Sequence, residues 1–171
     1  MAMIMYLSAI GEGNSIFIKD FVISPDSTVV VPVMLANTDS TRGVQFNLTL
    51  PEGLDLVDSE LTPYSKSRRM NIFDSEKNGT CIIGLYPMGI IYFPPDSAAI
   101  MLLHFKAQSQ FKGGDIIVWK CIGSSVDNKN IPMEGDTTSV IVPMADLIGI
   151  PVENEPGDNS FFNLQVPSTP E

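Results

Sequence analysis

The chain has 171 residues, 44% of them hydrophobic, with ten Lys and Arg against twenty Asp and Glu and a net charge of −10. That length suits one domain with a sizeable core, and the apolar fraction argues against a disordered chain. The negative field repels nucleic acid and anionic membrane surfaces, and two cysteines without a CxxC pair make neither a disulfide scaffold nor a zinc motif.

The first ten residues, MAMIMYLSAI, are apolar and break at Gly11-Glu12-Gly13-Asn14. The run is too short to cross a bilayer. It resembles the apolar part of a signal peptide without its basic leader, or else a first strand. The expectation is an exported protein, secreted or held at a cell surface or in a periplasm, with residues 1–15 as a leader remnant and no membrane insertion.

From there, strand-like runs follow at short intervals with little helical periodicity. They are Ile16–Val22, Thr28–Asn37, Gly43–Leu50, Leu54–Asp58, Met70–Phe73, Thr80–Tyr86, Ile100–Ala107, Asp115–Ile122 and Thr138–Val142. Between them stand Ser24-Pro25-Asp26, Pro51-Glu52-Gly53, Lys77-Asn78-Gly79, Pro94-Pro95-Asp96 and Gly113-Gly114, where Gly allows positive φ, Pro fixes φ, and Asn and Asp bond their own backbone. Nine short strands without intervening helices predict an all-β fold, an antiparallel sandwich or barrel. The third run alternates most clearly: Val44, Phe46, Leu48 and Leu50 share one face, Gln45, Asn47 and Thr49 the other, as in a half-buried strand. Pro32 predicts an edge or a bulge. From Pro143 the pattern dissolves into prolines and acidic residues, so 16–142 reads as the domain and 143–171 as a tail or linker.

The order of these segments resembles a cohesin domain. The resemblance rests on VISPDSTVVVPVMLANTDSTRGVQFNLTLPEGLDLVD, where a polar turn precedes TVVVPV and a glycine opens the alternating strand. It rests also on the PEGLDLV turn and on SAAIMLLHFKAQ leading into a Gly-rich turn. It covers about Ile16 to Val142 and is nearest to cohesin-like modules of Bacteroides-type gut bacteria. The resemblance implies a nine-stranded jelly roll of the carbohydrate-binding-module superfamily and extracellular recognition of a protein or a glycan. It also implies the strand order 8-3-6-5, in which Cys81 and Cys121 lie on strands either side of Gly43–Leu50 and remain free thiols. In cohesins a polar pair on strand three contacts the dockerin. Those positions fall near Gly43 and Gln45, so the family's contact chemistry is not preserved here.

Chemistry is sparse. His104 is the only histidine, set between Leu103 and Phe105, and reads as a structural strand residue rather than the base of a triad or a metal ligand. Acidic pairs such as Asp55 with Asp58 or Glu134 with Asp136 sit near turns, where carboxylates are ordinarily solvated, so a glycosidase pair is not indicated. Asp127-Asn128-Lys129-Asn130 has Lys129 where a calcium loop needs an oxygen ligand. Asn47-Leu48-Thr49 and Asn78-Gly79-Thr80 match a short sequon that arises by chance. Lys66, Arg68, Arg69 and Lys77 gather four of the ten basic residues within twelve positions, either a solvated loop or a patch for an acidic partner. No catalytic residue, metal or cofactor is expected.

Two functions compete: a non-catalytic module that holds a protein partner, and a glycan-binding or adhesion domain. For the first, the outer face of the sheet built on Gly43–Leu50 is the expected contact. With Cys81, Ile83 and Leu85, and Ile117, Trp119 and Cys121, as core sets, the outward residues are Gln45, Asn47, Thr49, Ile82, Tyr86, Val118 and Lys120. For the second, Trp119, Tyr64, Tyr86 and Tyr92 are the aromatics that could stack on sugar rings, with Trp119 expected in the core.

Overall fold

A computed structural model describes residues 13–147. The expectations for residues 1–12 and 148–171, leader and most of the tail, lie outside the described residues. In chain order the strands are β1 (Ser15–Ile18), β2 (Phe21–Val22), β3 (Thr28–Asn37), β4 (Thr41–Thr49), β5 (Leu54–Leu61), β6 (Met70–Lys77), β7 (Thr80–Pro87), β8 (Asp96–Ala107), β9 (Gly114–Ser125), β10 (Asn130–Pro132) and β11 (Thr137–Ile141). Two single turns of helix accompany them, α1 (Pro63–Ser67) between β5 and β6 and α2 (Met144–Leu147) after β11. The fold is an all-β sandwich.

The smaller sheet has the order β1-β3-β8-β5, and the larger has β2-β11-β9-β4-β7-β6 with β10 also on β9. The core lies between them and runs from Ile16 to Val142. Phe46, Phe93, Phe105 and Phe111 are among its largest fully buried side chains, and the Phe21 and Phe105 rings stack across the two layers at 5.6 Å. Burying one such ring stabilises the fold by about 2–3 kcal/mol.

Three differences from the sequence reading have simple causes. The first run is two strands, because the chain leaves the smaller sheet after Ile18 and joins the larger at Phe21, where β2 pairs parallel to β11; the isolated bridge between Ser15 and Glu134 is parallel too. Of the two settings expected for Pro32, an edge or a bulge, the edge is excluded, since β3 lies between β1 and β8. Pro32 sits one residue beyond the end of β1, where β3 has β8 alone as partner, and a bulge follows between Val33 and Met34. A strand tolerates proline in that setting. Finally, Asn130–Pro132 forms β10 on the free side of β9, a strand too short for its alternation to register.

The β6–β7 hairpin obeys its turn residues. Asn78 and Gly79 both have positive φ, 54° and 74°, the type I′ geometry that matches the twist of paired strands. It holds β6, an edge strand of the larger sheet, in register with β7 over its whole length.

Candidate docking face

β4 sets which side of the larger sheet faces out. Val44, Phe46 and Leu48 are buried against the opposite sheet, so Gln45, Asn47 and Thr49 point away from it. On β7, Ile83 and Leu85 are buried, leaving Ile82, Gly84 and Tyr86 outward. Phe73 of β6 pairs with Gly84. Its ring occupies the space a side chain on Gly84 would need, and its centroid lies 6.2 Å from that of Tyr86.

β9 departs from the expected register. Val118 is 3% exposed and belongs to the core, whereas Ile117 and Trp119 are 45% and 42% exposed on the outer face. The cause is a bulge. Gln45 pairs with Ile122 and Asn47 with Trp119, so Lys120 and Cys121 together face the single residue Phe46. Lys120 takes a left-handed φ of 51°. One extra residue exchanges the two faces: counting back by twos from the partly buried Cys121 places Trp119 and Ile117 inside and Val118 outside, the reverse of what the fold does. Lys120 is exposed, at the bulge itself.

The face is then a set of cross-strand rows. Phe73, Gly84, Gln45 and Ile122 form one, and Ser75, Ile82, Asn47 and Trp119 the next. Neither row carries a charge, in a chain with thirty charged residues. Trp119 Nε1–H donates to Thr49 Oγ1 at 3.0 Å, which fixes the indole along β4. Asn47, between Ile82 and Trp119, is only 6% exposed, and its Oδ1 has no hydrogen-bond partner among the described residues. The structure thus brings Gln45, Asn47, Thr49, Ile82 and Tyr86 to one surface, leaves Lys120 at its margin, and removes Val118. For this face, sequence reasoning missed Phe73 and Ile122 and placed Ile117 and Trp119 in the core, though they are 45% and 42% exposed. Gly84 inside a strand was a usable signal for Phe73, since such a glycine marks close approach.

The other candidates disperse. His104 Nε2 lies 3.1 Å from Glu60 Oε1 on the outer side of the smaller sheet, while both cysteines are on the larger one. Cys81 and Cys121 are free thiols on the strands flanking β4. Burial pushes both thiols up, Cys121 to about 11, with Glu76 and Asp74 adding to the rise at Cys81. Among the described residues no group of His, Cys, Asp and Glu is placed to hold a metal ion, and no helix is long and apolar enough to cross a membrane. The basic cluster splits: Lys66 lies in α1 and Arg68 and Arg69 directly follow it, whereas Lys77 ends β6, roughly 23 Å along the strand from Met70. Arg68 stacks its guanidinium 3.7 Å from the Tyr64 ring centroid and donates to the Tyr64 carbonyl at 3.0 Å. In the Asp127–Asn130 segment, Asn128 accepts from Arg42 at 2.8 Å.

No protein-family model and no curated protein matches the sequence. Solved structures do match the shape. A non-cellulosomal cohesin from the archaeon Archaeoglobus fulgidus superposes with a TM-score of 0.65 at 10% identity, over 80% of this chain and 95% of that one. The fold is that of a cohesin. A cohesin module of a Clostridium perfringens family 33 glycoside hydrolase gives 0.65 at 11% identity, over 76% and 96% of the two chains. The sixth cohesin of Acetivibrio cellulolyticus scaffoldin B, solved in complex with a dockerin, gives 0.61 at 17% identity, over 77% and 99%.

Proposed function

We propose that this cohesin-fold domain is a non-catalytic recognition module that docks a protein partner on the outer face of β6, β7, β4 and β9. The observation that carries the reading is the pair of uncharged rows with exposed Phe73, Trp119 and Ile122, and exposed Tyr86 beside Phe73. A strongly acidic domain gains solubility from charge, and an uncharged, partly aromatic sheet face forgoes it; interface cores are likewise depleted of charge and enriched in aromatics. Support from shape comes from a fold neighbour solved with a protein partner bound. The contact residues are Gln45, Asn47, Thr49, Ile82 and Tyr86, joined by Phe73 and Ile122, with Lys120 at the rim. The setting that goes with this role is outside the cytoplasm, in a secreted or surface-held assembly, with 16–142 as the folded unit.

The test is capture of exported proteins of the source organism on the immobilised chain, with Ile122→Asp and Tyr86→Asp variants alongside. Both residues are exposed, so the variants should melt within a few degrees of the parent and lose the captured partner. A Val30→Asp variant, on the opposite sheet, should keep it. Equal capture by all four proteins would overturn the proposal.

A further inference from the structure

The gap between β10 and β11 on the free side of β9 holds a hollow of about 460 Å³, open to solvent and lined by Ile117, Trp119, Lys120, Gly135, Asp136 and Thr137. Lys120 takes a left-handed φ of 51°, a cost for a residue with a side chain. Gly135 packs so closely on the Val118 carbonyl that no side chain fits there. Two backbone hydrogen bonds clamp this approach, Val118 N–H to the Asp136 carbonyl at 2.8 Å and Asp136 N–H to the Val118 carbonyl at 3.1 Å. The side chains are held as well. Asp136 Oδ1 accepts from the Thr137 N–H at 2.8 Å, and the indole of Trp119 is pinned by Thr49.

The lining selects a ligand class. An exposed, immobilised indole offers a flat apolar wall. A cation seated on it would pair with Asp136 but be repelled by Lys120, and an anion would pair with Lys120 but be repelled by Asp136 in a chain of charge −10. A neutral ring with apolar C–H on its face and hydroxyls on its edge satisfies all three groups. The C–H face packs on Trp119, a hydroxyl donates to the Asp136 carboxylate, and another accepts from the Lys120 ammonium. We propose that this hollow is a seat for one neutral pyranose ring of a glycan, at the β9 margin of the protein-docking face, with which it shares Trp119 and Lys120; sugar titration of the isolated chain tests it without the protein partner.

Trp119 is the only tryptophan, so its emission in the full chain reports on the site directly. The probes are cellohexaose, xylohexaose, mannohexaose and laminarihexaose, titrated to about 10 mM, well above a millimolar Kd. The expected result is a saturable emission change with at least one of them. Asp136→Asn and Lys120→Met, both at exposed positions, should each weaken binding by roughly tenfold, as loss of a charge-assisted hydrogen bond does, with unchanged melting temperature. Val30→Ser, on the far sheet, should leave the titration unaltered. Calorimetry of Trp119→Ala should show no heat of binding. No saturable change with any of the four sugars would refute the seat. So would equal affinity in the Asp136 and Lys120 variants, or stronger binding of a galacturonate or glucosamine oligomer than of the neutral ones.

Discussion

Cys121 shows how much one bulge residue settles. Its half-buried thiol is raised from 9.0 to about 11 by desolvation. Below pH 9 the thiol is protonated in folded and unfolded chains alike and adds no pH dependence. Between 9 and 11 the unfolded chain releases its proton while the folded chain retains it, so stability falls as pH rises through that window. Urea midpoints taken at pH 8.5 and above should therefore decline more steeply in the parent than in Cys121→Ala. Parallel curves for the two proteins would show that the thiol is solvated after all. Asn47 is the opposite kind of residue: between Ile82 and Trp119, its Oδ1 has no partner among the described residues, a setting that costs about 1–3 kcal/mol. The two faces of one sheet thus hold a thiol that burial keeps protonated and an amide that burial leaves unsatisfied.

At the scale of elements, the β9 bulge and the segment crossing from β10 to β11 act as a unit. Gly135 is the point of closest approach, facing the Val118 carbonyl backbone rather than a flexible side-chain tip. A methyl group there cannot be absorbed by a rotamer change. Gly135→Ala should cost roughly 2–4 kcal/mol, read by urea denaturation, and break the Val118–Asp136 pair seen as amide protection in hydrogen exchange. A loss under about 0.5 kcal/mol would mean that the crossing segment can lift off β9. The β6–β7 hairpin contrasts with this: its Asn78-Gly79 turn was legible from the sequence because a two-residue I′ turn has a two-residue signature. The β9 bulge has none, since lysine is a common strand-edge residue and nothing local requires it at positive φ.

For the whole molecule, the described core closes between Ile16 and Val142, with β1 tied to the larger sheet through the Ile16 N–H to the Glu134 carbonyl at 2.9 Å. We take 16–142 as the folding unit. A chain lacking residues 150–171 should melt within a few degrees of the parent by differential scanning calorimetry. A larger drop would extend the unit into that segment.

The sequence by itself determined the class of fold and much of one sheet. Turn residues spaced a strand apart dictate short antiparallel strands, and the strict alternation of Val44, Phe46 and Leu48 with Gln45, Asn47 and Thr49 dictates which side of β4 is wet. Ile83 and Leu85 followed the same rule. Tertiary structure decided the rest. The run Ile116-Ile117-Val118-Trp119 is apolar at every position, so hydrophobicity cannot say which half of it faces the core. The answer lies in one unpaired residue, visible only when β9 is laid against β4. Trp119 passed from core to surface by that single step, and with it went the sugar seat, whose opposite wall, Gly135 to Thr137, lies sixteen and more residues further along the chain. Side-chain parity propagates along a strand only while its ladder is unbroken, and the ladder is a property of two strands.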